Sequence, residues 1–257
     1  GRHFHPSLQV WNASMRRHFA DSVGPLPVRM GILFPSEAEM PNSSLAHYLQ
    51  IALQDHGLAG SRQLMHTEGL DSAALLALVQ QAQTDGQPLA LLGATYSFVH
   101  LMDALPEADL RLPAGSWLLD TGGFKGRSRE IPMEAFYAQL SATFGVPRER
   151  CLNMYGMTEL SSQFYDAGNA RVPSVKRAPH WMRTRAVDPL TGQSVPDGQP
   201  GILVHTDLAN LNSVTTILTE DVGIVTDGGF ALLGRAEGAQ AKGCSLAVED
   251  FVQAASA

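Results

Sequence analysis

Through its first two thirds the sequence alternates apolar, strand-like runs with helical stretches, and this limits the fold more than any other feature. Residues 28–34 read as a strand, and residues 43–55 as a helix with Leu45, Leu49 and Leu53 on one face. A short strand follows at 62–66, and Asp71 is placed to cap a helix running to about Gln83. Two buried-type strands, 88–93 and 116–120, are separated by a helical turn near 95–105. Pro132 suits the first turn of a helix that ends at Gly145, and 150–154 is the next strand. Such alternation builds parallel β-α units, whose ligands bind beyond the carboxyl ends of the strands. Asp120-Thr121-Gly122-Gly123 and residues 155–159 both follow strands directly, so they are expected to share one crevice.

After about Asp166 the texture changes. Residues 181–187, 201–205, 213–218, 223–225 and 230–233 read as short strands between Pro, Gly, Asn and Asp turns. The expected organisation is an α/β core over 1–168 and a β-rich subdomain over 169–257, ending in a helix-like stretch at 246–255.

Bulk properties narrow the function. A formal net charge of −7 argues against a broad nucleic-acid surface, which needs clustered Lys and Arg. The longest apolar runs are far too short to span a membrane, and no signal peptide opens the chain, so the cytoplasm is the expected compartment. Cys151 and Cys244 cannot make a disulfide scaffold. There is no G-x-S-x-G, H-E-x-x-H or G-x-G-x-x-G pattern, which leaves hydrolase, zinc-protease and Rossmann readings without support. His3-x-His5 has no companion cluster for a metal, and Lys125 and Arg127 read as solvated charge.

The segment CLNMYGMTELSSQFYD, residues 151–166, runs an apolar strand into Tyr155-Gly156-Met157-Thr158-Glu159. A turn uses the glycine but has no need of the other types. A flat ring, a hydroxyl and a carboxylate together suit a nucleotide: one stacks on a base, one meets a phosphate and one holds a metal ion. The plain alternative is a strand, a glycine turn and a Thr-capped helix.

Company separates the two. TGGFKG precedes this segment by one strand–helix–strand unit, and LTEDVG and LGRAEG follow it. In that order these motifs resemble the adenylate-forming (ANL) superfamily, which turns a carboxylic acid and ATP into an acyl-adenylate. GRHFH, PNSSLAHYL, TGGFKGRSRE, YGMTELSSQFYD, DLAN, TEDVG and GRAEGAQAKGCSL look like its LuxE-type acyl-protein synthetase branch; phenylacetate–CoA ligases are more distant.

The resemblance implies an ANL-type core of parallel β-α units plus a β-rich subdomain, with ATP and Mg²⁺ as cofactors. Gly122 and Gly123 would form the flat wall beside adenine, Tyr155 would stack on the base, and the Gly156-Met157 backbone would line the purine. Thr158 would bond the α-phosphate, Glu159 would hold Mg²⁺, Asp221 would accept the ribose hydroxyls, and Arg235 would reach ribose or phosphate. Ser44 and His47 would edge the acid pocket or serve only as surface and capping residues; Phe98 and His100 are further candidates for that pocket. Cys151 reads as core. Cys244, beside Gly243 and near Lys242, is either the thiol that accepts the acyl group or an incidental loop thiol.

Two family elements are not found: the Ser/Thr/Gly-rich loop expected ahead of GRHFH, and the C-terminal lid with its catalytic lysine. The chain, which opens on Gly1, is therefore expected to be the core of a longer enzyme. The expected function is activation of a fatty carboxylic acid as acyl-AMP and transfer to a protein thiol, with an acyl-accepting reductase or carrier protein as partner. A phenylacetate-type CoA ligase and a non-catalytic nucleotide- or acyl-binding module are the alternatives.

Overall fold

The computed structural model describes residues 3–124 and 128–236. They fall into two compact units: Met15–Gly156 with Tyr165–Val172, and the described parts of 1–14, 157–164 and 173–257. Order along the chain and compactness therefore do not coincide, since 157–164 belongs with the later strands although 165–172 follows it.

The first element, helix α1 (Gln9–Ser22), is not among the sequence expectations. Its signal is present nonetheless, because Trp11, Met15 and Phe19 recur every fourth residue and all three are buried.

The α/β unit then runs through β1 (Arg29–Leu33), α2 (Ser44–His56), β2 (Arg62–Gln63), β3 (Met65–His66), β4 (Gly69–Leu70) and α3 (Ser72–Asp85). It continues with β5 (Leu89–Ala94), α4 (Thr95–Ala104), β6 (Trp117–Thr121), α5 (Met133–Phe144), β7 (Cys151–Tyr155) and β8 (Phe164–Tyr165). The sheet order is β2-β1-β5-β6-β7-β8, and β2 through β7 pair in parallel. Helix starts follow the sequence: the Ser43 side chain accepts from the Ala46 N–H and the Asp71 side chain from the Ala74 N–H. Helix α5 stops at Gly145, in the left-handed conformation that glycine adopts without strain. Leu33, Leu78, Leu91, Phe98, Leu118, Phe136 and Phe144 belong to one continuous core.

Three elements differ from expectation. The strand expected at 62–66 is two: β2 pairs with β1, whereas β3 turns away to pair with β4. Between them Leu64 is fully buried; its N–H still donates to Ile32 O of β1, whereas its carbonyl accepts from the Asp71 N–H just after β4, so the change of partner falls at this residue. The helical turn near 95–105 is a ten-residue helix, α4. The strands expected at 213–218 and 223–225 are one strand of 11 residues, described next.

The β-rich unit holds β9 (Val175–Lys176), β10 (Met182–Val187), β11 (Pro200–Asp207), β12 (Thr216–Thr226) and β13 (Gly229–Arg235). They form one sheet in the order β10-β11-β12-β13-β9, antiparallel throughout. Polar Thr219-Glu220-Asp221 suggests a turn, but the Thr219 hydroxyl donates to Leu203 O and accepts from the Asp221 N–H, so β12 passes through unbroken. The residues expected to be helical at 246–255 lie outside the described residues.

His205 sits fully buried in this unit, its Nδ1 2.9 Å from the Thr184 hydroxyl and its ring 4.8 Å from Phe164 and 5.4 Å from Phe230. Burial lowers its pKa from 6.5 to about 4. Between those values the unfolded chain binds a proton that the folded chain refuses, so stability rises with pH across the window. Urea midpoints should fall as pH drops from 6.5 towards 4, and His205→Phe should flatten that slope. An unchanged slope in the variant would show that other groups govern it.

Candidate functional site

In the α/β unit the strand register decides what is brought together. Gly93 pairs with Asp120 and Ala94 with Thr121; Asp120 in turn pairs with Asn153 and Thr121 with Met154. Gly122 and Tyr155 are thus the next residues to leave two adjacent strands, at the same level. The Thr121 hydroxyl donates to Met154 O at 2.9 Å and ties the two ends. Gly122 has φ +77°, in the left-handed region where a side chain would be strained. Among the described residues, a Cβ added to Gly123 would meet nothing within 4 Å, so no described group fills the space in front of that backbone. Tyr155 keeps only 9% of its surface exposed, which leaves a narrow part of the ring for a base to meet.

Behind these ends lies a buried carboxylate whose role the sequence reading missed. Asp120 accepts from the Thr95 hydroxyl at 2.7 Å, from the Tyr137 phenol at 2.8 Å and from Asn153 Nδ2 at 3.0 Å. Those partners belong to α4, α5 and β7, so one side chain fastens four elements at the carboxyl end of the sheet. Burial first, and the Asp120 charge second, raise the Tyr137 pKa well above 10, so its phenol stays a donor. A single Asp directly before Thr-Gly-Gly was the available signal.

The β-rich unit carries the continuation of the motif, residues 157–164. No helix follows Thr158; Thr158 and Glu159 form a turn and Ser161 and Ser162 a bend, against the plain alternative. The Asp207 carboxylate accepts from the Ser161 and Ser162 N–H groups (3.0 and 2.8 Å), the Ser162 hydroxyl and the Ala209 N–H. Burial raises its pKa against these four bonds, which lower it. Asn210 Nδ2 donates to Glu159 O at 2.8 Å and Val214 O at 2.7 Å, and its Oδ1 accepts from the Ser161 hydroxyl. The Glu159 carboxylate is half-buried, and among the described residues no hydrogen bond or ion pair engages it. Among the described residues no cluster of three or more His, Cys, Asp or Glu could hold a metal ion.

Asp221 and Arg235 lie directly opposite each other on β12 and β13, with Arg235 Nε 3.6 Å from Asp221 Oδ1. The ladder slips beside them, between Val222 and Gly223, a bulge of the kind that re-aims neighbouring side chains. Arg235 is exposed and also pairs with Glu220 at 3.1 Å, whereas the Asp221 side chain is largely covered.

The remaining candidates scatter. Ser44 is exposed at the start of α2, where the cap is Ser43. His47, one turn on, has Nδ1 2.8 Å from Glu37 Oε1. Phe98 is fully buried against Phe144 and contributes to the core. His100 is exposed beside Tyr96. Cys151 is buried, and burial pushes its thiol up to about 12, which makes it inert at neutral pH. Cys244 lies outside the described residues, as do Lys125, Arg127, Lys242 and Gly243.

The sequence pattern of the acyl-protein synthetase LuxE family matches residues 69–252. The chain belongs to that family. Among LuxE relatives, it is 24% identical over 162 residues to the long-chain-fatty-acid–luciferin-component ligase of Vibrio harveyi, covering 62% of this chain and 42% of that protein. It spans less than half the length of that relative. In fold it is similar to ATP-bound MatB from Rhodopseudomonas palustris, with TM-score 0.61, 17% identity, and coverage of 88% of this chain and 44% of that one. The luciferase-like enzyme of the Zophobas morio mealworm is comparable: TM-score 0.62, 15% identity, covering 89% and 53%. The LuxE resemblance and the α/β core with its β-rich part are therefore borne out. No helix among the described residues is long and apolar enough to cross a membrane.

Asp120→Ala would take the partner from the buried Tyr137 phenol and remove one bond each from Thr95 and Asn153, and should cost roughly 3 kcal/mol in urea unfolding, against about 1 kcal/mol for Tyr137→Phe. A loss within about 0.5 kcal/mol for Asp120→Ala would mean that Asp120 fastens nothing.

Proposed function

We propose that this LuxE-family chain takes part in ATP-dependent activation of a carboxylic acid, followed by acyl transfer to a thiol. The observation that carries the reading is the register of β6 and β7. It sends Gly122-Gly123 and Tyr155-Gly156 off neighbouring strands at one level, with no described group filling the space before Gly123. A purine lying along that glycine backbone would meet Tyr155, with Met157 next in sequence. Thr158 would bond the α-phosphate, and Asp221 with Arg235 would take the ribose. Ser44 and His47 would border the acid.

In this reading a carboxylate oxygen attacks the α-phosphorus, the bond to the departing pyrophosphate breaks, and acyl-AMP remains. The approach brings negative charges together, which positioned donors must offset. Thr158 supplies a hydroxyl there, and Glu159 offers a half-buried carboxylate engaged by no other described group. Mg²⁺, when bound, would neutralise phosphate charge. A thiolate then attacks the acyl carbon and AMP leaves. The names of the curated relatives support a long-chain fatty acid as the substrate class. An acyl-accepting reductase or carrier protein would be the partner. Cys244 is the proposed acceptor within this chain, since Cys151 is buried and its thiol is held protonated.

Acid-dependent ATP–pyrophosphate exchange by the full-length protein tests the reading. Glu159→Gln should reduce exchange at least a hundredfold while leaving the thermal midpoint near that of the wild type; wild-type rates at ordinary Mg²⁺ would remove Glu159 from the site. With ATP and a labelled fatty acid, a hydroxylamine-sensitive adduct should form on the wild type and vanish in Cys244→Ser, with exchange retained. An adduct that survives the substitution would place the acceptor elsewhere. No adduct in the wild type together with free formation of acyl-CoA would favour a CoA ligase.

A further inference from the structure

The DLAN motif, Asp207-Leu208-Ala209-Asn210, has no role in the reading above, yet its two polar side chains contact the nucleotide motif directly. Both are fully buried, and each uses its bonding capacity on one short stretch of backbone. Asp207 gathers the consecutive N–H groups of Ser161 and Ser162, together with the Ser162 hydroxyl. The Ser162 hydroxyl also lies 2.7 Å from Ser14 Oγ and accepts from Trp181 Nε1 at 2.8 Å. Asn210 reaches further towards the chemistry, because Nδ2 holds the carbonyl of Glu159 itself, and that of Val214, while Oδ1 holds the Ser161 hydroxyl. The geometry of Asn210 follows from the single 3-10 turn Leu208–Asn210, which Asp207 caps through the Ala209 N–H.

A backbone fastened at Glu159, Ser161 and Ser162 leaves the Glu159 carboxylate as the free part of an otherwise fixed residue. The Glu159 carbonyl would be satisfied equally well by water at a surface turn, so a buried amide devoted to it sets position. We propose that Asn210, held in place by Asp207, is a positioning residue that fixes where the Glu159 carboxylate stands for the metal–nucleotide complex. This rests on the assignment of Glu159 to Mg²⁺. Asn210 touches neither metal nor nucleotide in this scheme; it acts through the Glu159 backbone.

The test is equilibrium binding of ATP to the full-length protein with Mg²⁺ and with EDTA, for wild type, Asn210→Asp, Ser161→Ala and Glu159→Gln. Asn210→Asp keeps the acceptor for Ser161 but replaces the donor that holds Glu159 and Val214. It should reduce the Mg²⁺-dependent gain in affinity about tenfold, the scale on which groups behind a metal ligand act. Its Mg²⁺-free affinity should stay as in the wild type. Ser161→Ala removes only the acceptor bond; it should lower the thermal midpoint yet keep the Mg²⁺ gain, which a purely structural network would not allow. Where Asn210→Asp yields no folded protein, Asn210→Ser, whose shorter side chain does not reach Glu159 O, takes its place with the same expectation. A normal Mg²⁺ gain in the Asn210 variant, alongside loss in Glu159→Gln, overturns the positioning role and leaves the metal assignment standing. A normal gain in Glu159→Gln overturns the assignment, and the inference with it.

Discussion

The buried carboxylate of Asp120 is the constraint on which the α/β unit's site depends. A parallel sheet aligns strand ends but leaves them to diverge into loops, and loops alone do not hold a ligand surface to a fraction of an ångström. Asp120 receives three donors from Thr95, Tyr137 and Asn153, and so joins β6 and β7 with α4 and α5. A carboxylate is better suited than a neutral group here, because all three partners donate and an amide would turn a donor towards one of them. The cost of desolvating the charge is offset only while every bond is made. That makes the arrangement all-or-none, as a scaffold for Gly122-Gly123 and Tyr155 requires.

The β-rich unit solves the same problem with a second buried acid. Asp207 ends β11 and collects four donors, two of them successive backbone N–H groups of the bend that follows Glu159. In both units, charge is buried where secondary structure stops and the motif begins. The exposed ion pairs, such as Arg17–Asp21 and Arg129–Asp103, are screened by water and lend little. Specific geometry therefore rests on Asp120, Asp207 and Asn210, and the surface charges set mainly solubility.

Much of this was legible in the sequence, for identifiable reasons. The β-α alternation is a period signal, and Ser43, Asp71, Pro132 and Gly145 mark helix ends by local chemistry that tertiary contacts do not override. What failed was non-local. The strand at 62–66 divides at Leu64, whose N–H goes to Ile32 but whose carbonyl is taken by Asp71, and Thr219 keeps β12 whole through Leu203. Phe98, a candidate for the acid pocket, packs in the core because α4 turns that face inward against Phe144. The supporting acids were missed for a related reason. A lone Asp in DTGG or DLAN carries no signature of its partners, which come from α4, α5, β7 and the bend at Ser161.

The metal role proposed for Glu159 asks opposite things of its backbone and its side chain. A metal-binding carboxylate must be free to exchange water for an oxygen ligand, so it should carry no competing bond within the protein. Freedom in a long side chain also costs entropy on binding, and that cost falls when the backbone beneath is already fixed. The structure meets both demands: Asn210 holds the Glu159 carbonyl, Asp207 holds the next turn, and no described group engages the carboxylate. Thiol chemistry is sorted by the same logic of access. Cys151 donates weakly to Pro147 O from inside the core, where neither an adenylate nor a base could reach it. The thiol of the proposed acyl transfer is therefore one from outside this sheet.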